Sequence, residues 1–178
     1  MTHTRLSPHF TLHEAMRSQT AARHGIDNTP PRELHPRLEA LAHTILEPVR
    51  AHFRIPFSPS SWYRSPELER VLTWRSFLRW ASKRRLDPHE DSSWQLYLDL
   101  KSHPRGEAAD IELPGIPNHV LAEWIRDNLT FDQLILEFHT IGQPQSGWVH
   151  VSFSMTHNRQ QVLTIGRGGT REGLPTYS

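Results

Sequence analysis

Ser102-His103-Pro104-Arg105-Gly106-Glu107-Ala108-Ala109-Asp110-Ile111 runs from a turn into a strand, and each half carries a metal-ligand residue type. From Glu107 to Leu113 the alternation sets Ala109, Ile111 and Leu113 on one face and Ala108, Asp110 and Glu112 on the other. Two ligands on one helix face need a spacing of three or four residues, which the His103–Asp110 interval does not offer. The interval suits a loop ligand, a reversal at Gly106 where a side chain would not fit, and a ligand on a strand. Small Ala108 and Ala109 leave room around such a centre.

A second strand pattern follows at Trp148–Ser154. Val149, Val151 and Phe153 read as core-facing, with Trp148, His150 and Ser152 opposite. His103, Asp110 and His150 together are the ligand set of a catalytic zinc site, because two neutral nitrogens and one oxygen leave the fourth tetrahedral position to water. The chain has no cysteine, which excludes a closed thiolate zinc site and any disulfide framework. The same donors admit another divalent ion, although they suit zinc well.

Such a centre needs a base. Glu137 stands among Leu134, Ile135, Leu136 and Phe138, where a carboxylate is costly without a partner or a task. Partial burial would raise its pKa toward the range useful for proton transfer; the plain alternative is a strand-end carboxylate facing water. Glu107 is a weaker choice, and His139 assists or is simply exposed. Arg64, after Trp62 and Tyr63, offers a fixed fork of donors for a substrate carboxylate or an oxyanion, or is a surface arginine in a turn.

The bulk properties narrow the classes. At 178 residues the chain reads as one domain with a real core. A formal charge of +1 with 22% charged residues argues against a dedicated nucleic-acid binder. No apolar run is long enough to span a membrane. The stretch Met1–His9 lacks the apolar segment of a secretory signal, so synthesis in the cytoplasm is expected.

Around the central stretch, Thr11 and Glu14 form a capping-box pattern for a short helix. Leu34, Leu38, Leu41, Ala42, Ile45, Leu46, Val49 and Phe53 predict a long amphipathic helix, with Pro48 at a bend near its end. Ile55–Arg64 reads as extended. A helix follows over Glu67 to about Lys83, with Leu68, Val71, Leu72, Leu78 and Ala81 on one face. Lys83–Asp91 is a charged connector, and Ser92–Leu100 fits a helix or a strand. Asn118 is expected to cap a helix reaching about Asn128, with Val120, Leu121, Trp124 and Ile125 inward. Strands are expected at Phe131–Phe138 and Gln161–Ile165, and a flexible tail from about residue 167. Helices first and strands later, with one helix between, predict an α+β fold: a small antiparallel sheet with helices packed on one face.

Several ordered segments resemble the zinc D-Ala-D-Ala carboxypeptidases, the M15 peptidases, in their phage and bacterial cell-wall hydrolase branch. They are Phe10–Glu14, Gly25–Pro30, Leu46–Arg50, Tyr63–Leu68, His103–Asp110, Phe131–Phe138 and Trp148–Ser152. The resemblance covers most of the chain and implies the fold shared by Hedgehog signalling domains and D,D-peptidases. It implies one Zn2+ ion on His103, Asp110 and His150, Glu137 as general base, and Arg64 on substrate or transition state. The implied reaction is hydrolysis of a peptide bond in peptidoglycan stem peptides, reached after lysis or virion delivery.

The chain departs from that pattern in three places. Lys101 stands where the family often has a serine, with Ser102 adjacent, so both become candidate substrate-binding residues. Gly147 stands where some relatives carry the catalytic glutamate. Residues from about 71 to 100 look like an insertion bearing Trp74, Trp80 and Trp94 and the run Lys83-Arg84-Arg85; it reads as a lid, a wall-binding surface, or an extra packed helix. The competing functional readings are a zinc-stabilised wall-binding or assembly module without turnover, and an amidohydrolase of another small amide.

Overall fold

A computed structural model describes residues 4–176. The fold is mixed α+β, with a five-stranded sheet and several helices. In chain order, α1 is Leu12–Met16, α2 Gln19–His24, α3 His35–Leu41, α4 Glu47–Phe53, α5 Pro66–Arg84, α6 Asp91–Leu98 and α7 Asn118–Asn128. The strands are β1 Ala108–Ile111, β2 Gln133–Glu137, β3 Trp148–Ser152, β4 Gln161–Gly166 and β5 Gly169–Glu172.

The capping box at Thr11 is present, with the Thr11 hydroxyl accepting from the Glu14 N–H and the Glu14 carboxylate accepting from the Thr11 N–H. The long amphipathic run forms, but in pieces. A π-helical turn over Ala42–Leu46 joins α3 to α4. Pro48 lies just past it, at the start of α4, and cannot donate to the carbonyl one turn back; a widened turn accommodates that missing bond. Leu38, Leu41, Ile45, Leu46 and Val49 are fully buried in one cluster with Ala109, Ile111, Leu134, Leu136, Val149 and Val151 from the sheet. The sheet's core face is therefore the odd-numbered face of β1 and β3, as their alternation predicts.

The sheet order is β1-β3-β2-β4-β5. It is mixed rather than wholly antiparallel, because β4 runs parallel to β2. Instead of a flexible tail, the glycine-rich stretch turns back as β5, antiparallel to β4, with all four strand residues exposed. Asn118 is the first residue inside α7 rather than its cap, which is Pro117. Its amide instead donates to the carbonyls of Ser146 and Gly147, tying the loop before β3 to the helix. Leu121, Ala122 and Ile125 are the buried apolar residues of α7, while Val120 is 38% exposed.

The stretch that reads as an insertion falls in a hairpin of α5 and α6, which has its own small core of Phe77, Ala81, Trp94 and Tyr97. Trp74, Trp80, Leu86 and Leu98 pack around it. Ser92–Leu100 is mostly helical, which settles that ambiguity. The expected inward face of α5 is only partly right. Leu68 and Ala81 are buried as expected, but Val71 and Leu72 are exposed and Phe77 is buried instead, because α5 packs on the short α6.

Candidate metal centre

β1 and β3 pair antiparallel, with Asp110 directly opposite His150, and β2 continues the row with Ile135 opposite His150. Because alternate residues share a face, Asp110, His150, Ile135 and Glu137 project from the side opposite the core. His103 reaches the same place from a single helical turn, His103–Arg105, that ends at Gly106. Gly106 is left-handed at φ +71°, and an added Cβ would sit 3.3 Å from the Leu38 side chain, so both turn and packing ask for glycine. The edge of β1 is covered by the Ser60–Ser61 segment. The Asp110 N–H donates to the Ser61 carbonyl at 2.8 Å, and the Ser60 N–H to the Asp110 carbonyl at 2.9 Å. That pairing brings Arg64 to the site.

The three residues are buried, and one ligand atom from each lies within 4.8 Å of the others. Asp110 Oδ1 is 3.2 Å from His103 Nε2 and 2.9 Å from His150 Nδ1. Tetrahedral donors around an ion bonded at about 2.0–2.1 Å stand roughly 3.3 Å apart, close to both Asp110 separations. The outer hydrogen bonds orient the rings. His103 Nδ1–H donates to the Trp62 carbonyl at 2.6 Å, and the neutral ring therefore presents its Nε2 lone pair to Asp110 Oδ1. Two lone pairs facing each other in a buried site repel, and a cation between them removes the conflict. His150 Nε2 lies 3.5 Å from the Ser102 hydroxyl.

Burial pushes His103 down from the ordinary imidazole range, against the pull of the Asp110 charge. Burial pushes Asp110 the other way, but the two imidazoles overcome it and hold the carboxyl well below its usual value. Glu137 is raised, chiefly by burial, with the His150 ring opposing. Its surroundings include the charges of Asp110, Arg64 and Lys101, which places the predicted base within electrostatic reach of the centre. Lys101 leads into this site and rests over the Tyr97 ring at 4.2 Å, so α6 holds the one cation the sequence set beside Ser102.

Arg64 meets the site through Asp110. Its Nη2 donates to Asp110 Oδ2, its Nε donates to the Ser61 hydroxyl at 2.8 Å, and its Nη1 is 3.5 Å from Glu69 Oε2. These contacts brace the Asp110 carboxylate. Glu69, in the first turn of α5 and 1% exposed, is a member of this cluster that sequence reasoning missed. Acidic residues in a first turn are ordinary; its one distinguishing signal is its nearness to Arg64 in the chain. Gly147 also has a geometric reason. At φ +71° its added Cβ would lie 1.9 Å from the Glu137 carbonyl oxygen, so no side chain fits there. His139 is half-buried, with Nδ1 3.1 Å from the Ser146 carbonyl, and belongs to the same loop.

The buried His103–Asp110–His150 cluster can thus hold a metal ion. No helix among the described residues is long and apolar enough to cross a membrane. No family model, no curated protein and no solved structure matches the chain.

Proposed function

We propose that the chain is a zinc-dependent peptidoglycan peptidase with a Hedgehog/D,D-peptidase-like fold, acting on wall stem peptides after lysis or virion delivery. The observation that carries the reading is the convergence of His103 Nε2, Asp110 Oδ1 and His150 Nδ1, with Glu137 on the same sheet face. Two imidazoles and a carboxylate favour zinc among divalent ions and leave a coordination position open.

Zinc bound there would polarise a substrate carbonyl and acidify water. Glu137 would accept a proton from water and pass it to the leaving amine; its raised pKa suits both halves of that task. Asp110 and the imidazoles fix the ligand geometry, and Arg64 keeps Asp110 oriented. Lys101, steadied by Tyr97, and Ser102 would meet the substrate's carboxylate or backbone.

The test is incubation of purified peptidoglycan with zinc-loaded and chelator-treated protein, followed by mass analysis of released products. Release of single terminal residues would mark a carboxypeptidase, and separation of cross-linked stem peptides an endopeptidase. Zinc binding with no released product, under conditions where the protein stays folded, would leave the non-catalytic wall-binding module as the reading.

A further inference from the structure

From Arg70 to Arg85 the chain carries six basic residues and no acidic one, although its formal charge as a whole is only +1. The remainder of the chain is therefore net negative, and the positive charge is concentrated on α5. The helix also sorts these groups. Phe77 and Ala81 face α6, and the Arg70 guanidinium lies 5.3 Å from the Trp74 ring centre and 5.4 Å from that of Trp94. Arg84 stacks over Trp80 at 4.5 Å. Arg75, Arg79 and Lys83 are left on the opposite side, all exposed. Their spacing of four residues makes one row with about 6 Å between steps along the axis. No acidic side chain lies within ion-pair distance of any of the three among the described residues.

We infer that this row docks a linear anionic polymer of the cell wall, a phosphodiester-linked chain, and so concentrates the metal centre on its substrate. A single row of positive charges matches a thin polymer that touches the protein along one line. A bilayer surface fits less well, because the apolar face of α5 is used up in packing against α6 and only Val71 and Leu72 remain exposed at its start. A long duplex fits less well too, because the rest of the chain is net negative and would repel it. The choice of a wall polymer rests on the proposed function; the charged row itself does not.

The experiment is co-sedimentation of the full chain with insoluble walls, before and after chemical removal of their phosphodiester polymer. Soluble stem-peptide hydrolysis is measured in parallel. The native chain should pellet with intact walls and not with stripped ones. Three neutralised phosphates at a slope of about −0.7 each predict binding roughly 20-fold weaker at about 200 mM than at about 50 mM salt. The double variant Arg75→Glu/Arg79→Glu should lose binding about tenfold or more, and the milder Arg75→Gln/Arg79→Gln should lose less. Both should leave hydrolysis of the soluble peptide as it was. Equal pelleting with stripped walls, or full binding by the charge-reversed variant, would overturn the proposal. So would tighter binding to DNA or to anionic vesicles than to the wall polymer. Wall binding that follows this pattern without any peptide hydrolysis would sink the peptidase reading and leave the docking face standing.

Discussion

Arg64 donates to the Asp110 oxygen that the two imidazoles leave free, so the carboxylate is held from both sides. One oxygen faces the candidate metal position and the other is braced by a guanidinium that Glu69 in turn supports. With Glu137, three carboxylates stand around two imidazoles against the Arg64 guanidinium and the Lys101 ammonium, which leaves one negative charge over. That excess of negative charge in a buried place is what a divalent cation balances.

Glu69→Gln should loosen this brace without opening a cavity. Outer partners of metal ligands typically contribute about 10–100-fold in metal affinity, so zinc affinity should fall within that range. Titration calorimetry on the metal-free protein reads it directly. Glu69→Asp should recover part of the loss if charge at this position is what matters. Unchanged affinity in a folded Glu69→Gln protein would mean that Arg64 orients Asp110 unaided.

Glu137 gives a prediction whose sign depends on pH. Burial raises its folded pKa above the ordinary value of 4.5. Between those two values the folded state holds more proton than the unfolded state, so stability falls as pH rises through the window. Glu137→Gln removes that loss. In metal-free protein the variant should match the native chain near pH 4 and become the more stable of the two as pH rises to neutrality. Urea unfolding at the two pH values checks it. The same variant should be inactive on stem peptides, since glutamine cannot take a proton from water. A variant less stable than the native chain at neutral pH would show that the ionised carboxylate has a favourable partner.

How much of this was legible follows from how far each signal reaches along the chain. The ligands were readable because period-two alternation places Asp110 and His150 by local pattern alone, and Gly106 marks the turn that brings in His103. The parallel pairing of β2 with β4 has no local signature; it depends on a connection through β3 and the loop after it. β5 was unreadable for a related reason, since its exposed residues carry no alternation to reveal a strand. Val71 and Leu72 misled because helical spacing shows that a face exists but not which neighbour covers it. Here the neighbour is α6, short and aromatic, and it selects Phe77. Glu69 gave no warning because its role comes from a tertiary contact with Arg64.

Gly147→Ala should be among the most damaging single-methyl changes in the chain. The new Cβ would overlap the Glu137 carbonyl oxygen at 1.9 Å, and the backbone is left-handed there at φ +71°. The obstacle is backbone, which cannot swing aside as a side chain can. Strain of this kind costs about 1–3 kcal/mol from conformation alone, and the overlap adds to it. Chemical unfolding should show a loss of at least about 2 kcal/mol. Because the clash falls on β2 beside Glu137, metal-dependent activity should fall further than stability does. A loss below about 0.5 kcal/mol would mean that the loop before β3 shifts freely, which its two hydrogen bonds to Asn118 oppose.

Phe77→Ala separates the hairpin from the main fold. Phe77 is fully buried and in ring contact with Trp74, Trp80, Trp94 and Tyr97. Its removal should cost about 3–5 kcal/mol, more than so small a cluster is expected to withstand. The sheet's core lies in a different cluster, and no residue is shared between the two. The expected outcome is local: amides of α5 beyond Glu69 and of α6 lose hydrogen-exchange protection, while those of β1, β2 and β3 keep theirs. Zinc affinity should change little, because the first turn of α5, with Glu69, is anchored through Leu68 and the Ser65 cap rather than through Phe77. Loss of protection throughout the sheet would instead show that the α5–α6 hairpin and the sheet unfold as one cooperative unit.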